Sequence, residues 1–406
     1  MGNSILFTNV NLVDVKQKCI LPNYDVTIKD GIIQSVMPHS NQVSALPSVD
    51  GTGKYLCPGL MDMHVHLAWD GTLADPVTAN IQEGPYVAMI RALHYLQVYV
   101  SKGITVVRDV GCNNDVTIYL ADAMNKGLAW GCQVIPCGSA ITATYGHVPS
   151  IGRIADTDDE IIKAVRTIKN LENHANVRCQ WLKVMATGGA AGPEDVGPAM
   201  YSTEQLTTLA SEAHRLHMKV GAHALSEEGI CACIDAGIDT IEHGANIPVS
   251  YMPKMKEQGT TWIPTLSVYK VLAESKGIVD DYMNAKAVKV CQQQRETFKN
   301  ALAQGIRIAL GTDAGSPNFG PHPSLFNELY VMNEYGMKKE DVLASATITP
   351  AEVLGIDQAK GSIEEGKDGD VLLLSGNPLE DLHVLETGLE QVYQKGRLIP
   401  PMFLPY

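Results

Sequence analysis

Short apolar runs alternate with longer amphipathic segments through the middle of the chain. Eight of these runs have the length and composition of buried β-strands, and the segments between them carry apolar residues at helical spacing. The runs are residues 61–67, 105–110, 133–137, 181–186, 220–224, 240–242, 261–266 and 307–310. This alternation predicts an α/β fold, and eight strands separated by helices predict a (β/α)8 TIM-type barrel.

Two of the intervening segments carry explicit helix signals. Ser202 is followed three residues later by Gln205, which is a capping-box pattern, and apolar residues at helical spacing come next. Residues 161–171 place five apolar side chains on one helical face. Both segments are therefore predicted to be surface helices of the barrel.

The two ends of the chain have a different pattern from the middle. Residues 5–10, 26–29 and 32–36 are β-like, and Asp30-Gly31 between the last two predicts a hairpin turn. Residues 371–374 and 388–398 have the same character. We therefore expect a small β domain built from residues 1–58 and 356–406, with the barrel at 59–355.

The composition excludes some classes of function. The 31 basic and 45 acidic residues give a net charge of −14, which disfavours nucleic acid and anionic lipid as partners. No uninterrupted apolar tract is long enough to span a membrane, and the first seven residues match neither a secretory signal nor a myristoylation site. Nine cysteines without a Cys-x-x-Cys pair indicate reduced thiols. These features predict a cytoplasmic protein, although they name no substrate.

His64-Val65-His66, within the first apolar run, is the first candidate for chemistry. Residues two apart on a strand point to the same side, so both imidazoles face one point. A buried polar group without a partner costs about 1–3 kcal/mol, so the pair must find hydrogen bonds or a metal. Zinc suits neutral imidazole, but such a pair, taken alone, is more often two satisfied core histidines.

Four further polar residues fall in or just after later predicted strands: Lys183, His223, His243 and Asp313. Singly, the histidines could be hydrogen-bonded core residues, Asp313 a helix cap and Lys183 a side chain reaching solvent. In a barrel, however, the carboxyl ends of the strands share one rim. Together with the histidine pair they make a sensible ligand set for divalent metal.

These residues lie in motifs that resemble the amidohydrolase superfamily, in particular its prolidase-like and imidazolonepropionase-like branch. The motifs are residues 58–66 (PGLMDMHVH), 182–189 (LKVMATGG), 222–224 (AHA), 241–244 (IEHG), 311–315 (GTDAG), 361–370 (GSIEEGKDGD) and 376–378 (GNP). The resemblance extends almost end to end. It implies a TIM-type barrel with a small β-sandwich domain formed by both termini, and a homo-oligomeric assembly.

The resemblance also implies a binuclear metal centre that binds two Zn2+ ions. The implied ligands are His64, His66, Lys183, His223, His243 and Asp313. The first two histidines and the aspartate would hold one ion, the other two histidines the second, and the lysine, carboxylated by CO2, would bridge both. Hydroxide bridging the ions would attack a carbonyl carbon, and Asp313 would carry the proton to the leaving nitrogen.

The substrate is less constrained than the centre. His147 in Tyr145-Gly146-His147 resembles a substrate-binding position of the family, with Tyr145 as a second candidate; a loop histidine facing water is the alternative. The branch predicts cleavage of a dipeptide (Xaa-Pro-like) or an N-acyl amino acid. Leu225 stands where prolidase-like relatives often carry a carboxylate-binding tyrosine, so a cyclic amide hydrolase and a ring deaminase stay open. A noncatalytic, metal-free binding protein is the alternative of another class.

Overall fold

The computed structural model describes residues 4–40 and 45–402. The predictions for the first seven residues, for segment 1–58 and for segment 356–406 therefore lie partly outside the described residues. The chain divides into two units. One contains the described residues of Met1–Asp62, Gln97–Val106 and Met332–Tyr406, and the other contains Met63–Leu96 and Val107–Val331.

The elements are numbered in chain order. The strands are β1 Ile5–Asp14, β2 Cys19–Lys29, β3 Ile32–Pro38, β4 Ser48–Asp50, β5 Tyr55–Pro58, β6 Leu60–Val65, β7 Ile104–Asp109, β8 Gln133–Pro136, β9 Ile141–Thr142, β10 Arg153–Ile154, β11 Trp181–Met185, β12 Lys219–Ala224, β13 Thr240–His243, β14 Thr261–Ile263, β15 Val371–Leu374, β16 Leu389–Gln394 and β17 Arg397–Ile399. The helices are α1 Pro76–Glu83, α2 Pro85–Ser101, α3 Val116–Asn125, α4 Asp158–Asn170, α5 Thr203–Arg215, α6 Glu227–Asp235, α7 Met252–Gln258, α8 Leu266–Glu274, α9 Asp281–Gln304, α10 Leu325–Glu334, α11 Lys339–Ser345, α12 Ile348–Leu354 and α13 Val384–Thr387.

The first unit contains a sheet to which both ends of the chain contribute. Its order is β17, β16, β15, β5, β1, β2, β3, and β4 also pairs with β1. Strand β15 runs antiparallel to β5, with Val371 opposite Pro58. Asp30 and Gly31 between β2 and β3 have φ angles of 52° and 86°, the two positive values that a tight hairpin turn requires. Both ends of the chain therefore contribute strands to one sheet, as their β-like patterns predict.

The second unit is built mainly from parallel strands and helices, which confirms the α/β fold. Strands β11 to β14 pair in sequence order as parallel neighbours. Strands β6, β7 and β8 form a separate sheet, and the residues of β6 and β7 divide between the two units. Isolated parallel bridges also join Trp262 of β14 to Ile308 and Val65 of β6 to Ala314. The predicted run 307–310 forms only the first of these bridges and no strand of its own.

The helix predictions are confirmed at the level of single residues. Ser202 accepts a hydrogen bond from the Gln205 backbone N–H, and the Gln205 side chain accepts one in return from the Ser202 N–H. Helix α4 buries Ile161, Val165 and Ile168, as its spacing predicts. None of the nine cysteines, all of which the structure describes, forms a disulfide bond. Among residues 4–40 and 45–402, no helix combines the length and hydropathy that a membrane span requires.

The parallel register of the second unit places polar residues of successive strands side by side. Met185 at the end of β11 is opposite His223 on β12, and Ala224 is opposite His243 at the end of β13. Since parallel strands end at the same edge of a sheet, the polar residues they carry share that edge.

Candidate active site

The histidines of β6, β12 and β13 form a continuous cluster of rings in the second unit. The ring centroids of His64 and His66 are 5.6 Å apart, those of His64 and His243 4.9 Å, and those of His243 and His223 4.6 Å. Asp313 Oδ1 lies 3.5 Å from His64 Nε2 and 3.4 Å from His66 Nε2. The structure thus brings together five of the six residues that the sequence suggests as ligands.

Lys183, the sixth, lines the same pocket. Other residues of the pocket wall are mostly apolar or aromatic: Trp69, Val77, Val148, Met185, Ala190, Ala191, Tyr269, Leu272 and Pro317. Lys183 is 1% exposed and is the single lysine or arginine of this wall among the described residues. The pocket therefore combines one dense group of ligand-type side chains with an apolar surround, as small-molecule sites commonly do.

Hydrogen bonds at the outer ring nitrogens set the orientation of three of these histidines. His64 Nδ1 lies 2.7 Å from Glu242 Oε2, and His66 Nδ1 donates to the Gly111 carbonyl at 2.9 Å. His243 Nδ1 lies 2.7 Å from Thr265 Oγ1. Such outer contacts fix ring orientation in metal sites and leave Nε2 as the inner nitrogen.

His223 is hydrogen-bonded through Nε2, whereas the other three histidines are bonded through Nδ1. Its Nε2 donates to the Gly188 carbonyl at 3.1 Å, so Nδ1 is the unprotonated nitrogen of the neutral ring. His223 also stacks on His147, with ring centroids 4.5 Å apart. The Gly-Gly segment after β11 therefore contributes directly to the position of this histidine.

The carboxylate of Glu242 links His64 to a buried arginine. Arg108 Nη2 donates to Glu242 Oε1 at 2.6 Å, and Arg108 Nε donates to the Met63 carbonyl at 2.6 Å. Both charged side chains are fully buried. A buried charge is stable only when it is paired and hydrogen-bonded, so this pair fixes the acceptor on which His64 rests.

Burial controls protonation in the cluster. It lowers the pKa values of His64, His223 and His243 well below the ordinary 6.5, and nearby positive charges lower them further. Burial likewise lowers the pKa of Lys183, although Glu242 and Asp313 oppose this shift. Neutral imidazole is the form that binds metal, and a neutral amine is the form that reacts with CO2.

Asp313 remains ionised because neighbouring groups outweigh the effect of burial on its pKa. Burial alone raises its pKa, but the interactions with His66, His64 and Lys183 bring the pKa below the ordinary 3.8. Its backbone φ of 64° and that of His243, 66°, are left-handed. Non-glycine residues adopt this conformation at an energetic cost that is characteristic of functional sites.

The two predicted substrate-binding residues have different surroundings. His147 is 8% exposed and lines the pocket. Tyr145 is 68% exposed, and the described pocket wall does not include it. The structure therefore brings His147, but not Tyr145, to the histidine cluster.

Several residues of the site had no assigned role in the sequence: Glu194, Glu242, Thr265 and Tyr269. Glu242 carried a signal, because an acidic residue within an apolar strand needs a buried partner. Tyr269 packs edge-on against His243, with ring centroids 5.6 Å apart, and burial raises its pKa well above 10. Its hydroxyl is therefore a permanent proton donor in the pocket wall. Glu194 and Thr265 had no local signal, because their partners lie 47 and 22 residues away.

Comparison with known proteins agrees with this geometry. Residues 55–399 match the Amidohydrolase family. The chain is 28% identical over 378 residues to ochratoxinase from Aspergillus niger, covering 84% of this chain and 75% of that protein. It is 25% identical over 394 residues to imidazolonepropionase from Thermoplasma acidophilum, covering 92% and 87%. A solved Xaa-Pro dipeptidase with methionine bound in its active site superposes with a TM-score of 0.88 and 30% identity, covering 97% of this chain and 99% of that one.

Proposed function

The chain belongs to the amidohydrolase family and is an enzyme that acts on C–N bonds, and from this premise we propose that it hydrolyses the amide bond of a dipeptide, Xaa-Pro-like, or of an N-acyl amino acid. The proposal rests on one observation above all. Four histidines, Asp313 and Lys183 line a single pocket in the second unit. Imidazole, carboxylate and a modified lysine are the donor set of a divalent-metal hydrolase.

The donor set fits two metal ions, with zinc as the proposed metal. The ligand atoms of His64, His66 and Asp313 lie within 4.8 Å of one another, close enough to hold one ion. His223 and His243 are neutral and adjacent, and would hold the second. Lys183, with its amine lowered in pKa, would bridge both as a carbamate. When bound, such ions polarise a carbonyl oxygen and lower the pKa of water to roughly 7.

The protein side chains supply proton transfer and orientation. Asp313 is an ionised carboxylate at the centre of the cluster, and it would accept a proton from the attacking water and return it to the leaving nitrogen. Tyr269 would donate its hydroxyl proton in a hydrogen bond to the substrate carbonyl. His147, which stacks on His223, would bind a second polar group of the substrate.

The relatives and the pocket wall together favour the substrate class. One solved neighbour is a Xaa-Pro dipeptidase, and ochratoxinase is a relative by sequence. The apolar wall, with its single lysine, favours an uncharged, apolar group beside the scissile amide. A cyclic amide is the second candidate, because the chain also resembles an imidazolonepropionase.

We infer in addition that the second unit closes into an eight-stranded barrel. The bridges Trp262 to Ile308 and Val65 to Ala314 support closure, since they join β14 and β6 to the segment that carries Asp313. The domain boundaries at residues 58 and 355, the cytoplasmic location and the homo-oligomeric state stay predictions.

A substrate panel with zinc-loaded protein tests the proposal. The panel contains Xaa-Pro dipeptides, N-acyl amino acids and cyclic amides, each with charged and apolar side chains. We expect turnover of apolar dipeptides or N-acyl amino acids, and its loss in Asp313→Asn. Turnover of cyclic amides alone would favour the second candidate. No turnover across the panel with both metal sites filled, or full activity and metal content in Asp313→Asn, would refute the assignment.

A further inference from the structure

The loop between β11 and α5 contacts His147 through a buried carboxylate. Glu194 is 7% exposed, and its Oε1 accepts hydrogen bonds from His147 Nδ1 at 2.5 Å and from the Gly189 backbone N–H at 2.9 Å. A carboxylate can only accept at this distance, so Nδ1 carries the proton. Nε2 is consequently the nitrogen that His147 can offer to a substrate.

Two glycines of the same loop leave the space that the His147 imidazole and the Glu194 carboxylate occupy. A Cβ atom on Gly189 would lie 2.1 Å from His147 Cε1 and 2.3 Å from its Nδ1. A Cβ atom on Gly192 would lie 1.8 Å from Glu194 Oε2. Both distances are far below van der Waals contact, so these two positions must lack a side chain for the pair to form.

Lys286 on α9 fixes the loop from the other side. Its Nζ donates to the carbonyls of Gly192 at 2.7 Å and Gly189 at 3.3 Å, and also to the Glu194 carbonyl. One ammonium group therefore holds the three residues that shape the surroundings of His147. Charge-assisted hydrogen bonds are stronger than neutral ones, so Lys286 ties the backbone at Glu194 to α9.

We propose that Glu194 is a positioning residue that acts through His147, fixing its tautomer and ring orientation toward substrate, and that Lys286 holds the loop in the conformation this requires. His147 lines the pocket and stacks on His223 with ring centroids 4.5 Å apart. A rotated or misprotonated ring would lose the substrate contact without any change to the metal ligands. The effect on turnover rests on the proposed function, whereas the effect on the His147 ring does not.

A double-mutant cycle in zinc-loaded protein tests the expected effect of Glu194 on turnover. We expect Glu194→Ala to lower kcat/KM by roughly 10- to 100-fold, the usual effect of removing a carboxylate partner from a functional histidine. Glu194→Gln keeps an acceptor oxygen and should retain activity within about fivefold, and Glu194→Ala should add nothing to His147→Ala. Equal losses from Glu194→Ala with and without His147 would overturn the proposal.

Histidine side-chain NMR tests, without any substrate, the expected effect of Glu194 on the His147 ring. Long-range 1H–15N spectra should show a protonated Nδ1 on His147 in the wild type, assigned by its loss in His147→Ala. Glu194→Ala, Lys286→Met and Gly189→Ala should each shift or abolish this signal. Gly197→Ala in the same loop is the control, because its Cβ would meet nothing closer than 3.5 Å. If the panel shows no turnover, the proposed function fails, but an unchanged His147 signal in Glu194→Ala is what overturns the positioning role.

Discussion

Lys183 has surroundings unlike those of an ordinary lysine. It is 1% exposed in the pocket wall, and no ion pair to it occurs among the described residues. Burial lowers its pKa even though Glu242 and Asp313 lie near enough to oppose the shift. The neighbours of a permanently charged ammonium there would offset little of the free energy that its desolvation costs. The proposed carbamate would instead make the same side chain a metal ligand.

Lys183→Met tests this interpretation, because it keeps an unbranched chain and removes the amine. We expect bound metal to fall from two equivalents to one or fewer. Hydrolysis should fall by roughly 100-fold or more, because loss of even a hydrogen-bond partner of a metal ligand lowers activity by about 10- to 100-fold. Metal analysis and kcat/KM measure the two effects. Lys163→Met, at an exposed position of α4, is the control. Two equivalents of metal and full activity in Lys183→Met would exclude Lys183 as a ligand.

Periodicity predicted most elements of the second unit, because buried strands and amphipathic helices leave their spacing in the sequence. It failed for residues 307–310, where an apolar run is buried with one bridge instead of a ladder. The family resemblance that suggested Tyr145 carried no information on its exposure, since exposure in a loop depends on distant packing. The metal-type residues were candidates because each lies in or just after a predicted strand, while Glu194 and Tyr269 depend on loop and helix placement.

Helix α8 shows such a distant dependence. Glu328, on α10, accepts hydrogen bonds from the backbone N–H groups of Leu266 at 2.8 Å and Ser267 at 2.7 Å. This carboxylate therefore caps the first turn of α8, the helix that carries Tyr269. Burial raises the pKa of Glu328 to about 7, although the hydrogen bonds from Ser267 and Leu266 oppose it.

Glu328 should make stability depend on pH. Its pKa in the folded state, about 7, lies above the ordinary 4.5 of an unfolded chain, so between these values the folded state binds the extra proton. The stabilisation is complete below pH 4.5 and is lost as pH rises through 7, by up to about 3 kcal/mol. Urea unfolding of wild type and Glu328→Gln from pH 5 to 8 measures it. The wild type should lose stability with pH more steeply than Glu328→Gln, while Glu257→Gln, exposed on α7, should follow the wild type.

The capping box of α5 gives a simpler test at the same scale. Ser202→Ala removes the acceptor for the Gln205 N–H and should lower the free energy of unfolding by about 1 kcal/mol. Ser211→Ala, at an exposed interior position of the same helix, should change it by less than about 0.5 kcal/mol. Urea titration distinguishes the two, and equal effects would show that the box contributes nothing.

At the scale of the whole molecule, the site concentrates several costs of folding in one place. Neutral histidines, an ionised aspartate and a lysine are buried together, and two site residues have left-handed backbone. Net charge and composition, which disfavour nucleic acid and anionic lipid as partners, carry no information on this concentration. Ligands that bind the folded state alone offset such costs.

Metal removal should therefore destabilise the protein as well as inactivate it. Each metal that binds only the folded chain adds about 2.7 kcal/mol when its free concentration is 100 times its Kd. We expect chelator-treated protein to have a lower Tm than zinc-loaded protein, and zinc to restore both Tm and activity. His243→Ala should bind one equivalent fewer and show a smaller rise in Tm, whereas His174→Ala, exposed after α4, should behave like the wild type. The same Tm with and without zinc, in protein that binds two equivalents, would show that the ligands are equally available in the unfolded chain.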